Sequence, residues 1–576
     1  MRVLSSRRKD DAAMPARLSN GPIVRCCLLL VYLLLTAGVA STASAAVWYV
    51  RTDGGSASQC TGKTDAGYPG HGTQQDCAFN HPYQLLPPNG SSEPMQPTMM
   101  RPGDTLQIRP GSYMMGYGAP GQTSTGCDVP YTWDCEIGNI PSGIDAAHPT
   151  VIMGDCKTLP ELWGTQRAAA IFSLRKVHDV KIACLELTDH ANCIENYRPT
   201  SNTGGVTACN RSKYPYGAWA ANGIYAADVT NLTLQKLDIH GFADYGINAG
   251  RLSGNTLLDG VTLRANGWGG WSGDLGGNDH SSSSSGTIVV QNSVVAWNGC
   301  SEAYPATTIV GCWGQNEGGY GDGFAEAWTG GDWTFVRDDM HDNTQDGLDL
   351  LYANGSGTTV VMQSRFHGNA GNQVKISGPS SIVDSIAVGN CMWTQQKKGT
   401  FMSGAMQATD DCRALGATVE LDFPLSAQRA VLAFNTITGQ GDGLIDASQK
   451  GSGNTVVLAN NILDGRHSDK RGDEPTFGYY GGDDNAVPAI WIGNLVYGVR
   501  HGACPGDSVC EDPLLRDPAF ATYDPAPRSG SPAVGTASPK VNVRTDYYGK
   551  PRPRPMSIGA VEYLPGPQGD HRPPGH

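Results

Sequence analysis

The fold is decided by the stretch 229–299, whose successive segments read VTNLTLQKLDIHG (229–241), NTLLDGVTLRANG (255–267) and GTIVVQNSVVAWNG (286–299). Apolar and polar residues alternate in each segment, as in a half-buried β-strand, and each segment ends in a turn containing His, Asn or Gly. The same pattern recurs over about residues 170–465, at WTFVRDDMHDN (333–343), TTVVMQSRFHGN (358–369), SSIVDSIAVGN (380–390), RAVLAFNTITG (429–439) and NTVVLANNILDG (454–465).

The turns of these segments carry asparagines at steps of 21 to 45 residues: Asn266, Asn298, Asn343, Asn369, Asn390, Asn435 and Asn460. A strand–turn–strand unit of this length cannot bury its apolar side alone, whereas stacked units can. We therefore predict an all-β chain folded as a parallel β-helix (a solenoid) with long inserted loops, in which the turn asparagines stack as a ladder. A β-sandwich or a propeller with similar turn spacing is the alternative.

The composition agrees with a turn-rich β-protein. Glycine accounts for 75 of the 576 residues, charged residues for 16 % and hydrophobic residues for 39 %. These values exclude a coiled coil, a helical bundle and a highly charged disordered chain, and the glycines follow no collagen period. The formal net charge of −13 provides no long-range attraction to nucleic acid, so we expect no nucleic-acid partner.

The first 45 residues have the pattern of a secretory signal peptide. Basic residues precede an apolar core at 26–39, and Ala43-Ser44-Ala45 provides small residues at the cleavage positions. The core is short for a membrane span, and an uncleaved N-terminal anchor is the alternative. We expect a secreted monomer, extracellular or periplasmic, with no membrane association after cleavage.

Four regions follow the signal peptide. Residues 46–169 are rich in Gly, Pro and Cys and are interpreted as a loop-rich N-terminal part with the first coils. Residues 170–465 form the predicted main β-helix, and 466–563 its C-terminal coils and capping loops. The final segment 564–576, LPGPQGDHRPPGH, is predicted to be disordered.

Cysteine usage predicts disulfides. The chain has 16 cysteines, of which Cys26 and Cys27 lie in the signal peptide, and the remaining even number suits an exported protein. Sequential neighbours suggest the pairs Cys60–Cys77, Cys127–Cys135, Cys193–Cys209, Cys300–Cys312, Cys391–Cys412 and Cys504–Cys510, which leaves Cys156 and Cys184. No CxxC pair occurs, which argues against a zinc site of the usual kind.

Three short strings align without gaps: Asp322-Gly-Phe-Ala325, Asp346-Gly-Leu-Asp349 and Asn372-Gln-Val-Lys375. They begin 24 and then 26 residues apart, which is one coil of the predicted helix in each case. Strand alternation turns Phe324, Leu348 and Val374 inward and the residues after them outward. Because adjacent strands lie about 4.8 Å apart, Asp322, Asp346, Asp349 and Lys375 are predicted to share one patch on an outer face.

Carboxylates that converge in one patch repel one another, and a hard cation with several oxygen ligands relieves that repulsion. Asp322, Asp346 and Asp349 are therefore candidate ligands of a calcium ion (Ca2+), and Gln345 can add a neutral oxygen. The alternative is that these aspartates only form turns, as Asp-Gly pairs commonly do.

Lys375 is the candidate catalytic base. A bound divalent cation disfavours the protonated amine and so lowers its pKa toward the working pH. In a uronate polymer the C5 proton lies beside the C6 carboxylate, and calcium on that carboxylate acidifies the proton. A neutral lysine can then remove it, and the C4–O bond breaks by β-elimination. The alternative role for Lys375 is an ion pair with Asp349.

The strings GDGFA (321–325), NTQDGLDL (343–350) and GNQVKISG (371–378) resemble the corresponding runs of the family nine pectate lyases. The resemblance implies a secreted, right-handed parallel β-helix enzyme that cleaves polygalacturonate, an acidic polysaccharide. It also implies that Asp322, Asp346 and Asp349 hold calcium and that Lys375 is the base. The family usually has two consecutive aspartates in the second run, where this chain has Gln345 and Asp346. The close match covers about residues 320–378, with a looser likeness over 170–465.

Other residues near the patch in sequence are candidates for substrate binding. Arg365 can pair with a substrate carboxylate, and Trp328 can offer a flat surface to a sugar ring. The same potential belongs to Lys397, Lys398, Trp268, Trp271 and Trp313, with solvated charge or loop packing as the alternative. His341 and His367, 26 residues apart, are interpreted as stacked turn residues rather than metal ligands.

Two other functions stay open from the residues alone. A glycoside hydrolase on the same scaffold would use two of the aspartates about a glycosidic bond. A non-catalytic surface or adhesion β-helix would use calcium, if at all, only to stiffen its coils.

Overall fold

Strands dominate the computed structural model of the protein, which describes most of residues 45–565. It does not describe 1–44, 89–96, 123–126, 128–131, 195–206, 210–218, 274, 276–282, 306, 315–320, 327–329, 351–356, 390–401, 405–416, 440–442, 467–475, 483–484 and 566–576. The helices of the described part are the short 3-10 turns Pro82–Gln84, Thr132–Asp134 and Phe520–Thr522. None of the described helices is long and apolar enough to span a bilayer.

Three long faces of parallel strands run along the molecule, and each coil contributes to them in turn. The first face is a ten-stranded sheet in which neighbouring strands come from successive coils. Its strands are Ala170–Arg175, Asn222–Ala227, Tyr245–Gly250, Gly269–Ser272, Asp322–Ala325, Leu348–Leu350, Val374–Ser377, Ala417–Phe423, Gly443–Gln449 and Gly478–Gly481.

The second and third faces share the longest strands, His178–Asp189 and Thr230–His240, which bend from one face to the other. The rest of the second face is Val47–Gly55, Thr105–Ile108, Thr150–Met153, Ser253–Asp259, Thr287–Gln291, Asp332–Val336, Thr359–Met362, Ser380–Val383, Arg429–Ala433, Thr455–Ala459 and Ala489–Ile492. The rest of the third face is Ser112–Met114, Glu161–Gly164, Thr262–Arg264, Val294–Ala296, Asp339–His341, Arg365–His367, Ile386–Val388, Thr436–Thr438, Ile462–Asp464 and Leu495–Tyr497.

The predicted parallel β-helix is therefore confirmed, and its coils extend on both sides of 170–465. Within the described residues, three small sheets lie outside the coils. They are Cys300–Ala303 with Thr308–Gly314 and Met402–Gly404, Cys193–Ile194 with Thr207–Ala208, and Leu515–Asp517 with Asp524–Pro527.

A ladder of buried asparagines connects the coils that carry the aligned strings. The side-chain amide of Asn266 donates to Asn298 at 3.1 Å, Asn298 to Asn343 at 2.9 Å, and Asn343 to Asn369 at 2.8 Å. Asn369 donates to Gln373 Oε1 at 2.9 Å, which ends this part of the ladder. Each step also satisfies backbone groups at the turn, which would otherwise be buried without partners.

The ladder continues in the C-terminal half with one correction to the sequence prediction. Asn435 donates to Asn461 at 3.0 Å, and Asn461 to Asn494 at 3.0 Å. Asn460, which was predicted to be the ladder residue, instead takes a positive φ and hydrogen-bonds with the backbone of Ser538. The two asparagines are adjacent, and only the second faces inward. The predicted rung Asn390 lies outside the described residues.

The ladder explains the glycines of the Asp-Gly pairs. A Cβ on Gly323 would lie 2.7 Å from the amide nitrogen of Asn343, and one on Gly347 would lie 2.5 Å from that of Asn369. In the same way, a Cβ on Gly246 would lie 2.8 Å from the amide nitrogen of Asn266, and one on Gly270 would lie 2.9 Å from that of Asn298. Glycine is thus required where the first face passes the ladder, which fixes the backbone beside each aspartate.

The aligned strings also place large rings in the core. Trp271 stacks on Phe324 with their centroids 4.9 Å apart, and Phe324 meets Trp333 and Phe335 edge to face. All four rings are buried. Trp271 is therefore part of the core and not a sugar platform, contrary to one of the sequence interpretations.

Disulfides join sequential cysteines, as predicted, at Cys60–Cys77, Cys127–Cys135, Cys193–Cys209, Cys300–Cys312 and Cys504–Cys510. The two cysteines left over in the prediction, Cys156 and Cys184, also form a disulfide. The predicted Cys391–Cys412 pair lies outside the described residues.

The C-terminal segment after residue 514 covers the outer side of the coils. Its residues Leu515, Tyr523, Ile558 and Val561 form a buried cluster with side chains of the third face. The fully buried Arg552 pairs with Asp384 on the coils at 2.7 Å and with Glu562 at 3.3 Å. A buried charge network thus holds the segment in place.

Candidate active site

The register of the first face brings the three aligned strings together as predicted. Phe324 pairs with Leu348, and Leu348 with Val374, and all three side chains point into the core. Asp349 and Lys375 are therefore neighbours on adjacent coils and point outward.

Asp322 and Asp346 lie where the strings enter the face, and each is held by the backbone of the next coil. The Asp346 amide donates to Asp322 Oδ1 at 3.0 Å, and the Asn372 amide donates to Asp346 Oδ1 at 2.6 Å. Asp346 is buried, and Asp322 is partly exposed. Backbone donors thus orient the two carboxylates before any ligand binds.

One carboxylate oxygen from each of Asp322, Asp346 and Asp349 lies within 4.8 Å of the other two. The Lys375 Nζ is 3.6 Å from Asp346 Oδ2 and 3.8 Å from Asp349 Oδ2. The four candidate residues therefore form one cluster on the outer side of the first face.

The charges of the cluster act strongly on one another. Burial and the neighbouring carboxylate of Asp346 raise the pKa of Asp349 well above its ordinary value, although Lys375 opposes this shift. Burial lowers the pKa of Lys375, but the carboxylates of Asp346, Asp349 and Glu420 outweigh burial and raise that pKa above its ordinary value. The cluster is short of positive charge, and without a cation Lys375 is protonated.

The donor set fits a hard cation. Three carboxylate oxygens at this spacing are the ligand type that calcium prefers. A Cβ on Gly371 would lie 2.1 Å from Asp346 Oδ1, so only a glycine lets the backbone of the next coil approach this carboxylate so closely.

Gln345 is almost fully buried, and its backbone amide donates to the Gly321 carbonyl. A Cβ on Gly321 would lie 3.1 Å from Gln345 Cγ, so the two residues pack closely. Gln345 is thus a buried residue immediately before Asp346 in the chain, and its role as a ligand stays a prediction.

Other residues named from the sequence lie away from the cluster or outside the described part. Arg365 belongs to the third face, where it pairs in register with Asp339, so it does not share the face of Lys375. The residues between Arg365 and Lys375 turn a corner of the coil, from the third face to the first. Trp328, Lys397 and Lys398 lie outside the described residues.

The two histidines and the remaining tryptophans named from the sequence lie at these places in the fold. The His341 and His367 rings stack with their centroids 4.8 Å apart on the third face, as interpreted from the sequence. Trp268 lies edge to face against Tyr245, with centroids 5.7 Å apart. Trp313 belongs to the small sheet of Thr308–Gly314.

Glu420 is a neighbour of Lys375 that was missed from the sequence. It pairs in register with Lys375 on the next coil, and Asp446 follows it one coil later. On the other side of the cluster the same outward column carries Asn248, Ser272 and Ala325. The alternation in ATVELDF (417–423) could have found Glu420, but the long insertion before it hid the coil step.

Comparisons with known proteins found neither a matching protein-family model nor a matching curated protein. Among solved structures, pectate lyase Pel9A is 12 % identical over 90 % of this chain and 96 % of its own, with a TM-score of 0.41. An alginate lyase from Paenibacillus sp. str. FPU-7 is 12 % identical over 68 % and 91 %, with a TM-score of 0.32. PfbA, a surface adhesin of Streptococcus pneumoniae, is 10 % identical over 65 % and 86 %, with a TM-score of 0.34. At this level of similarity no inference about activity follows.

Proposed function

We propose that the protein is a secreted, calcium-dependent polysaccharide lyase that cleaves a pectate-like polyuronate by β-elimination. The observation that carries the proposal is the cluster of three carboxylates with one amine, built on three adjacent coils. The disulfides agree with an exported protein.

Asp322, Asp346 and Asp349 would hold the calcium ion, with Gln345 as a candidate fourth ligand. Bound there, calcium would neutralise a substrate carboxylate and stabilise the negative charge that develops at C5. The backbone amides of Asp346 and Asn372 hold the Asp322 and Asp346 carboxylates in place, and these carboxylates would supply ligands to the ion.

Lys375 would act as the base. Its neutral amine takes the C5 proton, the electron pair of the C5–H bond forms the C4–C5 double bond, and the C4–O bond breaks. The leaving oxygen then takes a proton from water. Because the carboxylates raise the pKa of Lys375, compensation of their charge is what makes the neutral amine accessible.

The distribution of charge along the first face favours one side for an acidic substrate. Among the described residues of the outward column, Asn248, Ser272 and Ala325 precede the cluster without charge, whereas Glu420 and Asp446 follow it. A polyuronate meets less repulsion on the coils before the cluster, and we place most of its carboxylates there.

The test is incubation of the purified protein with polygalacturonate and calcium, followed by ultraviolet absorbance of the unsaturated product. We expect absorbance to rise with wild type, to stop on addition of EDTA, and to be lost in Lys375→Ala, which should keep the circular dichroism of a β-protein and a cooperative thermal transition. Lys450→Ala removes an exposed lysine from the same molecule and should retain full activity.

The rival functions give different results in this experiment. New reducing ends without absorbance would indicate a glycoside hydrolase, in which two carboxyl groups flank the glycosidic bond. Polysaccharide binding without any product would indicate an adhesion protein. Either outcome would overturn the lyase proposal.

A further inference from the structure

A second cluster of ionisable side chains lies on the third face, on coils that precede those of the candidate active site. Glu186, Asp238 and His240 each offer one ligand atom, and these three atoms lie within 4.8 Å of one another. Glu186 pairs in register with Asp238 on the adjacent coil, and His240 follows Asp238 by two residues. Strand geometry therefore directs all three side chains to the same outer side.

Glu302 orients the His240 ring. The His240 Nδ1 hydrogen-bonds with the Glu302 carboxylate, and Nε2 lies 3.1 Å from Glu186 Oε1. The His240 side chain is only 1 % exposed and that of Glu302 only 4 %. A metal-ligating histidine characteristically has a carboxylate behind one ring nitrogen while the other nitrogen faces the ion.

A hairpin inserted between coils supplies this carboxylate. Glu302 lies on the strand Cys300–Ala303, which pairs with Thr308–Gly314 and is joined to it by the Cys300–Cys312 disulfide. The strand pairing and the disulfide therefore fix the backbone that carries Glu302 beside His240.

The charges of the cluster favour a divalent cation over a proton. Arg264 pairs with Glu302 Oε2 at 3.0 Å and with Asp238 Oδ1 at 3.4 Å. When His240 carries protons on both nitrogens, two cations face three carboxylates. When a divalent ion replaces the proton on Nε2, the charges of the five side chains and the ion sum to zero. Asp238 Oδ1 is a buried atom whose contact with Arg264 Nε at 3.4 Å is an ion pair and not a hydrogen bond, and a metal ion would use this oxygen as a ligand.

The neighbouring ionisable groups have partners of their own. Glu161 pairs with His190 at 2.5 Å, and that ring stacks between Trp163 and Tyr304. Asp189 is buried and accepts hydrogen bonds from two backbone amides. These groups surround the cluster without supplying the three ligand atoms.

We propose that Glu186, Asp238 and His240 bind a divalent transition-metal ion of the Zn²⁺ type, with Glu302 as the carboxylate that orients His240. An imidazole nitrogen with two carboxylates is a donor set for Zn²⁺ and similar ions, whereas the all-oxygen set of Asp322, Asp346 and Asp349 is one for calcium. The chain would thus carry two ion sites of different chemistry on different faces.

The test is calorimetric titration of the chelator-treated full chain with Zn²⁺ in two buffers of different ionisation enthalpy. We expect one Zn²⁺ to bind with release of about one proton, that of His240 Nε2, and the affinity to fall as the pH is lowered. Asp238→Asn and Glu186→Gln should each weaken binding about tenfold or more, and Glu302→Gln about tenfold.

Two controls separate this site from others. Glu161→Gln removes a neighbouring carboxylate that is outside the set, and Asp322→Asn removes a ligand of the calcium cluster; both should bind this Zn²⁺ as wild type does. Thermal unfolding without metal checks that every variant is folded. No uptake of Zn²⁺ by wild type, uptake without proton release, or equal uptake by Asp238→Asn and Glu186→Gln would each show that the cluster is only an ion-pair network.

Discussion

At the scale of single residues, Lys375 lies between carboxylates on both neighbouring coils. Asp349 precedes it in the first face and Glu420 follows it. Glu420 is one of the groups that raise the pKa of Lys375, and its own pKa is raised by burial. Unlike the aspartates, Glu420 lies on the side of Lys375 away from the proposed calcium ion, so the ion compensates its charge least.

Replacement of Glu420 by glutamine should therefore make the amine of Lys375, the proposed base, easier to deprotonate. The pKa of Lys375 falls when a neighbouring carboxylate is removed, so the acid limb of the profile of kcat against pH should move to lower pH. KM for polygalacturonate should also fall, because one repulsive charge is gone. Steady-state kinetics over a range of pH measures both effects.

Glu511→Gln provides the control for Glu420→Gln, because Glu511 is an exposed carboxylate that does not belong to the cluster. It should leave the profile unchanged. An acid limb that moves to higher pH in Glu420→Gln, or does not move, would contradict the role assigned to this carboxylate.

At the scale of elements, the asparagine ladder connects the site to the coil stack. Asn343 precedes Asp346 by three residues and is fully buried, with Oδ1 accepting from Asn298 and Nδ2 donating to Asn369 and to the Val295 carbonyl. The same rung fixes Gly323 on the first face. Loss of one rung thus leaves unsatisfied groups on two neighbouring coils.

Asn343→Ala should lower the free energy of unfolding by about 3 kcal/mol, because several buried polar groups lose their partners at once. Asn255→Ala, at an exposed position of the second face, should change it by less than about 0.5 kcal/mol. Urea unfolding followed by circular dichroism measures both. Equal stability of the two variants would show that the ladder does not bear on coil stability.

Asp338 lies at another buried turn between coils, and its carboxyl group makes the stability of the fold depend on pH. Its Oδ1 accepts the Ser293 amide, and its own amide donates to Ser364 Oγ, so it interrupts a row of buried serines. Burial raises the pKa of Asp338 to about 8. Because the unfolded chain ionises this group near its ordinary pKa, the folded state binds the extra proton between about pH 4 and pH 8, and stability falls as the pH rises through that window.

Asp338→Asn removes the titrating proton while keeping the shape of the side chain. The free energy of unfolding of wild type should decrease from pH 5 to pH 8, and the decrease should be smaller in Asp338→Asn. Denaturant unfolding at several pH values measures the slope. A variant whose slope equals that of wild type would show that Asp338 is ionised throughout.

At the scale of the whole molecule, the C-terminal segment is fixed to the coils by Arg552. Its guanidinium pairs with Asp384 and Glu562 and donates to the carbonyls of Gly559 and Ala560, with no exposed surface on the side chain. The coils therefore gain a cover over their third face that no local repeat provides.

Arg552→Met should release this cover without unfolding the coils, because it leaves buried carboxylates without their cation at a cost of about 3–5 kcal/mol. Limited proteolysis with mass spectrometry should find faster cleavage after residue 514. Arg516→Met removes the partly exposed pair with Asp524 in the same segment, worth about 1 kcal/mol at most, and should be cleaved as wild type is. Equal cleavage of all three proteins would contradict the role of Arg552.

The sequence predicted the coil and the main cluster because both depend on local spacing. Side chains alternate between the inside and the outside along each strand, and the glycines beside the asparagine ladder mark the same position in successive coils. Asp349 and Lys375 could therefore be aligned without a structure. The same alignment could not choose between Asn460 and Asn461, because a positive φ at the first of two adjacent asparagines decides which one faces inward.

Features that depend on insertions or on corners of the coil could not be predicted in this way. Arg365 is close to Lys375 in sequence but lies on another face. The cluster of Glu186, Asp238 and His240 is completed by Glu302 from a hairpin more than 60 residues later, and no repeat spacing indicates that contact. Arg552 lies 168 residues from Asp384 for the same reason.

The most direct measurement of the central claim is the fate of water oxygen during cleavage. Polygalacturonate digested with calcium in water enriched in oxygen-18 should give products whose new unsaturated ends have lost one water relative to hydrolysis products, with no oxygen-18 introduced by bond cleavage. Mass spectrometry, corrected for exchange at the reducing end by reduction before and after digestion, measures this. Oxygen-18 fixed at the cleaved bond, or no cleavage in the presence of calcium, would contradict elimination at Lys375.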